Sequence, residues 1–535
     1  MIRIKKKKIA LLTLASLLVI VLLVAGIVIL KGRNNASEGI VPTGQVLTPN
    51  IIPRPVEFTE NSGYFKLTRK TFIYVNGNSD SETEEIKRIG TYLADILMPS
   101  TGYPFKVIPS SAPKKGSIYL TTKNSDPSLG SEGYKLEVTT DKITLSAYTT
   151  EGLFRGIQTI RQMLPAEIEK AEVVKDIPWV MACVNIKDYP SYSWRGMMLD
   201  VARHFFSVED VKRTIDLMAQ YKMNRFHMHL TDDQGWRIEI KSWPDLTKIG
   251  GSTEVGTGDG GFYTQEEYTD IVNYAKERYI MVIPEIDMPG HSNAALASYG
   301  ELNPDGKRVK PYTKINVGFS SFMCREEITY TFISDVIREL AAITPGEYIH
   351  VGGDEAAQTP PEDYDYFIGR INEIVLNNGK KPIGWNPFDT SSGTTSEAYL
   401  QYWNSEITAA LDKNMKMIIS PPGKAYLDMK YNMSFKLGLN WAGYIPTDFA
   451  YQWDPTNYAP KESILGIECA LWSETIDTMD ELETLAFPRL PGHAEIGWTP
   501  KELRSWEEYR QRLIPHAKRM ECQGIDYYRD PNVDW

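Results

Sequence analysis

Tyr348-Ile349-His350-Val351-Gly352-Gly353-Asp354-Glu355 puts two adjacent carboxylates directly after a short apolar run. The first four residues read as a buried strand, and the glycine pair lets the backbone turn sharply or approach a ligand closely. An unpaired acid at the end of a buried strand is costly to desolvate, so such acids are solvated, paired or used. The structural alternative is an Asp that caps the next helix.

Outward from this stretch the same unit recurs, beginning near Tyr189: a short apolar strand, then helical periodicity. Strands are expected at 196–200, 225–232, 279–287, 348–353, 382–385, 399–403, 415–420 and 465–472. Ser207 with Asp210 and Thr264 with Glu267 have capping-box spacing ahead of Val211-Ile215-Met218 and Tyr268-Ile271-Ala275. Eight strands with helical returns describe an α/β chain folded as a (β/α)8 TIM barrel over residues 189–535.

In such barrels the chemistry sits on the loops that follow the strands' C-terminal ends. Those loops carry, in turn, Asp200 and Arg203; Asp232 and Asp233; Asp287 and His291; Asp354 and Glu355. Trp385, Trp403, Tyr426 with Asp428, and Trp472 with Glu474 complete the ring. A cup of carboxylates, one Arg and several Trp suits a neutral, hydroxyl-rich ring. Charged groups bind its hydroxyls in bidentate hydrogen bonds, and aromatic planes cover its C–H faces.

The N-terminal half reads differently. Tyr134, Leu136 and Val138, then Ile143, Leu145 and Ala147, alternate around a Thr139-Thr140-Asp141 turn, a hairpin signal. Leu153, Ile157, Ile160 and Leu164 then recur at helical spacing up to Pro165. A small two-layer α+β domain is expected over 51–188. Residues 34–50 are polar with Gly and Pro, as a linker would be. The run 9–30 is uncharged and long enough to cross a bilayer as a helix. Arg3 and Lys5 to Lys8 precede it against Lys31 and Arg33 after it, which puts the N-terminus in the cytoplasm and the body outside. Residues 1–33 are therefore expected to be a membrane anchor. A cleaved signal peptide, leaving a secreted or periplasmic body, is the alternative, although its apolar core is normally shorter.

The chain has 535 residues, is 42% hydrophobic and carries a net charge of −11. The first 33 residues hold seven positive charges and no negative ones, so the body stands at −18. An acidic exported body argues against nucleic acid as a partner. Cys183, Cys324, Cys469 and Cys522 show no CxxC pattern and read as buried free thiols. His227 and His229 share a strand face, but no third ligand is evident nearby. No metal or cofactor is expected.

At these motifs the chain resembles the β-N-acetylhexosaminidases of glycoside hydrolase family 20. The matching stretches are Asp200 to Phe205, His229 to Arg237, Pro284 to His291 and His350 to Glu355, with Trp472-Ser473-Glu474 downstream. The similarity extends over roughly Ile51 to Trp535. It implies a retaining hydrolase with no enzymic nucleophile, in which the substrate's 2-acetamido oxygen attacks the anomeric carbon and forms an oxazolinium ion. Glu355 would then be the general acid/base, and Asp354 would accept the acetamido N–H and stabilise the developing positive charge. Neighbours on a strand point to opposite sides, so this pair is poorly placed to straddle a glycosidic bond as acid and nucleophile.

The resemblance also gives Asp232 and His291 the role of a relay tuning Glu355. It gives Arg203 the sugar's 3- and 4-hydroxyls, with Glu474 the substrate-binding carboxylate beside it. Trp385, Trp403 and Trp472 become the walls around the acetamido methyl. Tyr426 would donate to the acetamido oxygen, Asp428 would reach the 6-hydroxyl, and Trp441 would stack on the next sugar. The expected substrate is a glycan or oligosaccharide with a terminal β-linked N-acetylhexosamine. Two alternatives stay open: a lacto-N-biosidase or poly-N-acetylglucosamine hydrolase of the same family, or a membrane-displayed glycan-binding barrel without turnover.

Overall fold

The computed structural model describes residues 50–404 and 406–535. The apolar run 9–30 and the linker up to residue 49 lie outside the described residues. Among the described residues, no helix is long and apolar enough to cross a membrane.

Seven strands form the first sheet: β1 (Glu57–Lys66), β2 (Ile73–Asn76), β3 (Val107–Pro109), β4 (Ser117–Thr121), β5 (Tyr134–Val138), β6 (Lys142–Ala147) and β7 (Val180–Asp188). Their order is β1-β7-β5-β6-β4-β2-β3. The expected hairpin is β5–β6, with Leu136 opposite Leu145. Its alternation buries Tyr134, Leu136, Val138, Ile143, Leu145 and Ala147, while Lys135 and Glu137 face solvent. Two helices, α1 (Asp80–Thr101) and α2 (Thr150–Met163), cover the apolar face and make this a two-layer α+β unit. Thr149 starts α2 by accepting the Gly152 N–H, and Leu153, Ile157 and Ile160 meet the sheet.

The second unit is a closed barrel of eight parallel strands. They are β8 (Trp194–Asp200), β9 (Arg225–His229), β10 (Met281–Glu285), β11 (Tyr348–His350), β12 (Lys381–Trp385), β13 (Tyr399–Tyr402), β14 (Lys416–Ile419) and β15 (Ile464–Leu471). Each overlaps an expected strand, but β9, β10 and β11 end earlier than their apolar patterns do. After β11 the backbone turns left-handed at Gly352 (φ 66°), Gly353 (φ 100°) and Glu355 (φ 48°), which no strand accommodates. Both expected capping boxes form, on α3 (Val208–Gln220) and α4 (Gln265–Lys276).

The helical returns are less regular than a (β/α)8 pattern implies. β12 is followed only by the single 3₁₀ turn Phe388–Thr390, and β13 by the short helix Thr408–Asp412. The connection 386–398 contains Pro387, Gly393 and a run of Ser and Thr, a composition that makes turns rather than a helix. All four cysteines are free; Cys183, Cys324 and Cys469 are buried, whereas Cys522 is only partly so.

Buried charge locks the two units together. Asp188, at the end of β7, accepts from Lys222 Nζ (2.9 Å), the Tyr134 hydroxyl (2.6 Å) and Trp498 Nε1 (2.8 Å). Asp188 and Lys222 are both completely buried. Arg155 on α2 reaches across to donate to the Tyr279 carbonyl at 2.7 Å. Removing one member of a buried, hydrogen-bonded pair strands the others. Asp188→Ala should therefore cost about 3–5 kcal/mol, read as a fall in the urea midpoint of unfolding. An unchanged midpoint would mean that the seam does not depend on this carboxylate.

Candidate active site

All the polar residues singled out in the sequence gather at one end of the barrel, the mouth formed by the C-terminal ends of β8–β15. Register explains the innermost layer. His229 ends β9 opposite Glu285 at the end of β10, and Glu285 is in turn paired with His350 of β11. Alternation turns these side chains inward together, and all three are completely buried.

Asp232 is the hub above that layer. Its Oδ2 accepts from Arg203 Nη2 at 2.7 Å and from His229 Nε2 at 2.9 Å. Its Oδ1 lies 3.1 Å from His291 Nδ1. Burial alone would raise its pKa, but the Arg203 guanidinium and the His291 imidazole hold the carboxyl far below its ordinary range. Against the same penalty, Asp232 and Asp287 hold His291 well above the usual imidazole range. The other ring nitrogen of His291 lies 3.4 Å from Glu355 Oε2. Asp232, His291 and Glu355 thus follow one another, with the His291–Glu355 approach the longer of the two. Asp233 has a different task. It accepts from the Asn293 N–H (2.9 Å) and the Ser320 hydroxyl (2.5 Å), fixing the loop that carries His291.

Arg203 is buried, and its Nε–H has no protein partner. Its guanidinium sits 4.9 Å from the Trp472 ring centroid. Asp200 arranges this: Oδ1 accepts the Ala202 and Arg203 N–H groups, and Oδ2 accepts the Ser473 N–H at 3.0 Å. That last bond ties the Trp472-Ser473-Glu474 loop beside the β8 loop. Burial raises the Glu474 carboxyl, while neighbouring Arg203 works the other way.

Asp354 and Glu355 were expected to diverge because strand neighbours alternate. They do diverge in exposure, but for another reason: both lie beyond β11 in the left-handed turn. Asp354 is buried, its Oδ1 without a protein partner, whereas the Glu355 side chain is 37% exposed. The turn is held by the Gly353 N–H donating to Asp287 Oδ1 (3.1 Å) and by the Tyr364 hydroxyl donating to the Gly353 carbonyl (2.7 Å). A Cβ on Gly352 would fall 1.7 Å from Asp287 Oδ1, so no side chain fits there.

The aromatic residues make a connected wall. Trp385 and Trp472 lie 6.1 Å apart, as do Tyr426 and Trp472. Trp403 meets Trp441 at 6.5 Å, and Trp441 meets Tyr426 at 5.9 Å. Trp385 is buried, Trp403 and Trp472 are partly buried, and Trp441 is 57% exposed at the rim. Asp428 is buried with both carboxylate oxygens lacking a protein partner, and burial followed by Glu474 raises its pKa well above the usual range. Unpartnered buried acceptors aimed into a cup are what a hydroxylated ligand would satisfy.

Sequence reasoning left Glu285 and Glu468 without roles and found no third neighbour for His227 and His229. The barrel supplies one. His227 Nε2 and His229 Nδ1 lie 2.9 and 2.5 Å from Glu285 Oε2. The signal was the polar residue ending each adjacent strand, which is legible once strand order is known. His227, Glu285 and His350 also come close enough to hold a metal ion, as do Asp232, Asp233 and His291. In the first group both histidines lie against Glu285, and in the second His291 lies against Asp232. Despite burial, Glu285 and Glu468 raise His227 to about 9, and a protonated imidazole is no ligand.

Paired acids, a buried imidazole between carboxylates and indole walls in a barrel mouth fit one class, the glycoside hydrolases. Comparison narrows this. Residues 192–365 and 358–501 match the profile "Glycosyl hydrolase family 20, catalytic domain", and residues 48–189 match "Glycosyl hydrolase family 20, domain 2". A β-N-acetylhexosaminidase of Cellulomonas fimi is 37% identical over 91% of this chain and 97% of its own. The family 20 β-N-acetylhexosaminidase of Streptomyces coelicolor A3(2) superposes with a TM-score of 0.87 at 44% identity, covering 92% of this chain and 99% of that one. A mutant Streptomyces plicatus β-hexosaminidase in complex with its product GlcNAc has the same TM-score and identity, covering 93% and 99%. The chain belongs to glycoside hydrolase family 20.

Burial pushes the Asp354 carboxyl up to about 6; His291 opposes the shift, and Glu355 and Glu285 add to it. An elevated carboxyl is protonated below that value, so any role needing its anion is lost as pH falls through it. The acid limb of kcat/KM should therefore show an apparent pKa near 6, belonging to the coupled cluster rather than to one residue. Asp354→Asn should abolish that limb together with most activity. A profile that stays flat well below this value would remove the Asp354 anion from the rate-limiting chemistry.

Proposed function

We propose that this chain is an exo-acting β-N-acetylhexosaminidase that releases terminal β-linked N-acetylhexosamine by substrate-assisted catalysis. One observation carries the reading: a buried acid with an open oxygen, Asp354, stands beside an exposed acid on a relay, Glu355. In this reading Asp354 takes the acetamido N–H and steadies the positive charge as the acetamido oxygen closes on the anomeric carbon. Glu355, with His291 and Asp232 behind it, protonates the departing oxygen and later deprotonates the water that opens the oxazolinium ion. Trp385, Trp403 and Trp472 confine the acetamido methyl, and Tyr426 donates to its oxygen. Arg203 and Glu474 hold the 3- and 4-hydroxyls, Asp428 the 6-hydroxyl, and Trp441 the next sugar. The product complex of the Streptomyces plicatus relative supports GlcNAc as the sugar released. A pure glycan-binding barrel would have no use for a relay on Glu355.

The basic cluster before the apolar run 9–30 supports an anchored enzyme with its barrel outside the cytoplasm. Full-length protein should then sediment with membranes, and a chain starting near Gly44 should be soluble and equally active. A mature N-terminus beyond Gly26 in exported protein would instead indicate a cleaved signal.

The acetamido group gives the decisive test of the chemistry. An oriented intramolecular nucleophile can be worth about 7–11 kcal/mol of barrier. A plain β-glucoside, which lacks it, should be almost inert beside the N-acetylglucosaminide. A thiazoline analogue of the cyclised intermediate should inhibit far more tightly than free N-acetylglucosamine. Comparable turnover of the plain glucoside would require an enzymic carboxylate nucleophile instead.

A further inference from the structure

Beneath the candidate site lies a buried ion network whose innermost layer the proposed chemistry does not use. Its centre is Glu285, completely buried at the end of β10. Its Oε1 accepts the indole N–H of Trp385 at 2.8 Å and lies 3.0 Å from His350 Nδ1. Its Oε2 lies 2.5 Å from His229 Nδ1 and 2.9 Å from His227 Nε2. His229 passes the contact on to Asp232 at 2.9 Å, and from there it runs through His291 to Glu355. One continuous chain of polar contacts therefore joins a wall of the acetamido pocket to the acid/base.

We propose that Glu285 is a positioning residue that fixes the Trp385 indole against the acid–base relay, so that N-acyl selectivity and proton transfer depend on the same buried carboxylate. This inference rests on the reading of Trp385 and Glu355 given above.

The argument is one of donors. The Trp385 indole N–H donates to one carboxylate oxygen and the His229 ring is hydrogen-bonded to the other, with the His227 ring 2.9 Å away, an arrangement that needs an acceptor at both oxygens. The charged groups facing it are His227 and His229 from β9; beyond them stand Asp232, Arg203 and Glu468. A glutamine of the same shape would turn an NH2 toward these donors, so either the indole or the His229 ring must let go. Releasing the indole widens the methyl pocket; releasing His229 removes a cation from Asp232. Either way, a change at a residue that touches no substrate reaches both halves of the reaction.

Glu468 supplies the control. It is equally buried in the same layer and accepts from His227 Nδ1 (2.8 Å), Gln401 Nε2 (2.8 Å) and Trp194 Nε1 (2.9 Å), none of them assigned to substrate. A purely structural role for this layer predicts equal effects at Glu285 and Glu468.

The test compares N-acetyl and N-propionyl β-glucosaminides in the full chain and in Glu285→Gln, Glu468→Gln and Trp385→Phe, with thermal midpoints recorded for each. A tight apolar pocket discriminates one methylene by roughly 10–200-fold. Glu285→Gln should lose several-fold of that discrimination and also lower kcat for N-acetyl substrates with poor leaving groups more than for those with good ones. Trp385→Phe, which keeps an aromatic ring and deletes the N–H, should lose discrimination without altering leaving-group dependence. Glu468→Gln should keep the wild-type ratio. Equal shifts in Glu285→Gln and Glu468→Gln, or wild-type selectivity in a folded Glu285→Gln, would overturn the proposal. Should Glu285→Gln not fold, wild-type selectivity in Trp385→Phe would overturn it. Failure of the underlying reading looks different: the wild-type chain itself would then not prefer N-acetyl over plain glucosides.

Discussion

Ion pairing inside the barrel is the constraint on which the rest of this structure depends. Glu285, Glu468, Asp200 and Asp232 are all buried, and an isolated ion taken out of water costs several kcal/mol even after relaxation. The chain offsets that cost with cations from neighbouring strands and loops: His227 and His229 from β9, Arg203 after β8, and His291 after β10. Parallel register makes the match possible, because His229 of β9 and Glu285 of β10 are paired residues. The candidate site rests on this compensated layer and inherits its rigidity.

That layer also accounts for how neighbouring acids can do different work. Asp232 meets three cationic groups and is held ionised, whereas Asp233 accepts a hydroxyl and an N–H and fixes a loop. Asp354 lies in a buried place with an open oxygen, and its proton is held more tightly than in an ordinary Asp. Glu355, one residue on, is over a third exposed and lies beside His291. Environment separates the members of each pair, and the backbone turn at Gly352-Gly353 creates the second separation.

The first domain contributes no residue to the mouth described here. Its influence is mechanical. Asp188 ties it to the barrel through buried contacts with Lys222 and Trp498, and Arg155 through the Tyr279 carbonyl. Arg512 and His516 of the C-terminal helix also hold the backbone at Ile51 and Asn50, so both ends of the described chain are clasped together.

Much of this was legible without coordinates. Apolar runs located all eight barrel strands because burial on both faces leaves a continuous hydrophobic signal, and the acids after them marked the functional end. The β5–β6 hairpin and helix α2 were likewise readable, since period-two and helical spacing report one-sided burial directly. Tertiary structure alone decided three things. It replaced the helix after β12 with a single turn, where Gly, Pro and hydroxyl residues left a long helix no support, and cut the one after β13 to Thr408–Asp412. It carried Asp354 and Glu355 off the strand, because positive φ at Gly352 and Gly353 is a property of the folded turn. And it joined His227, His229, Glu285 and Glu468 into one ion network. Local sequence records which side chains can ionise, but which charges face each other follows from strand register across the barrel, a relation between residues far apart in the chain.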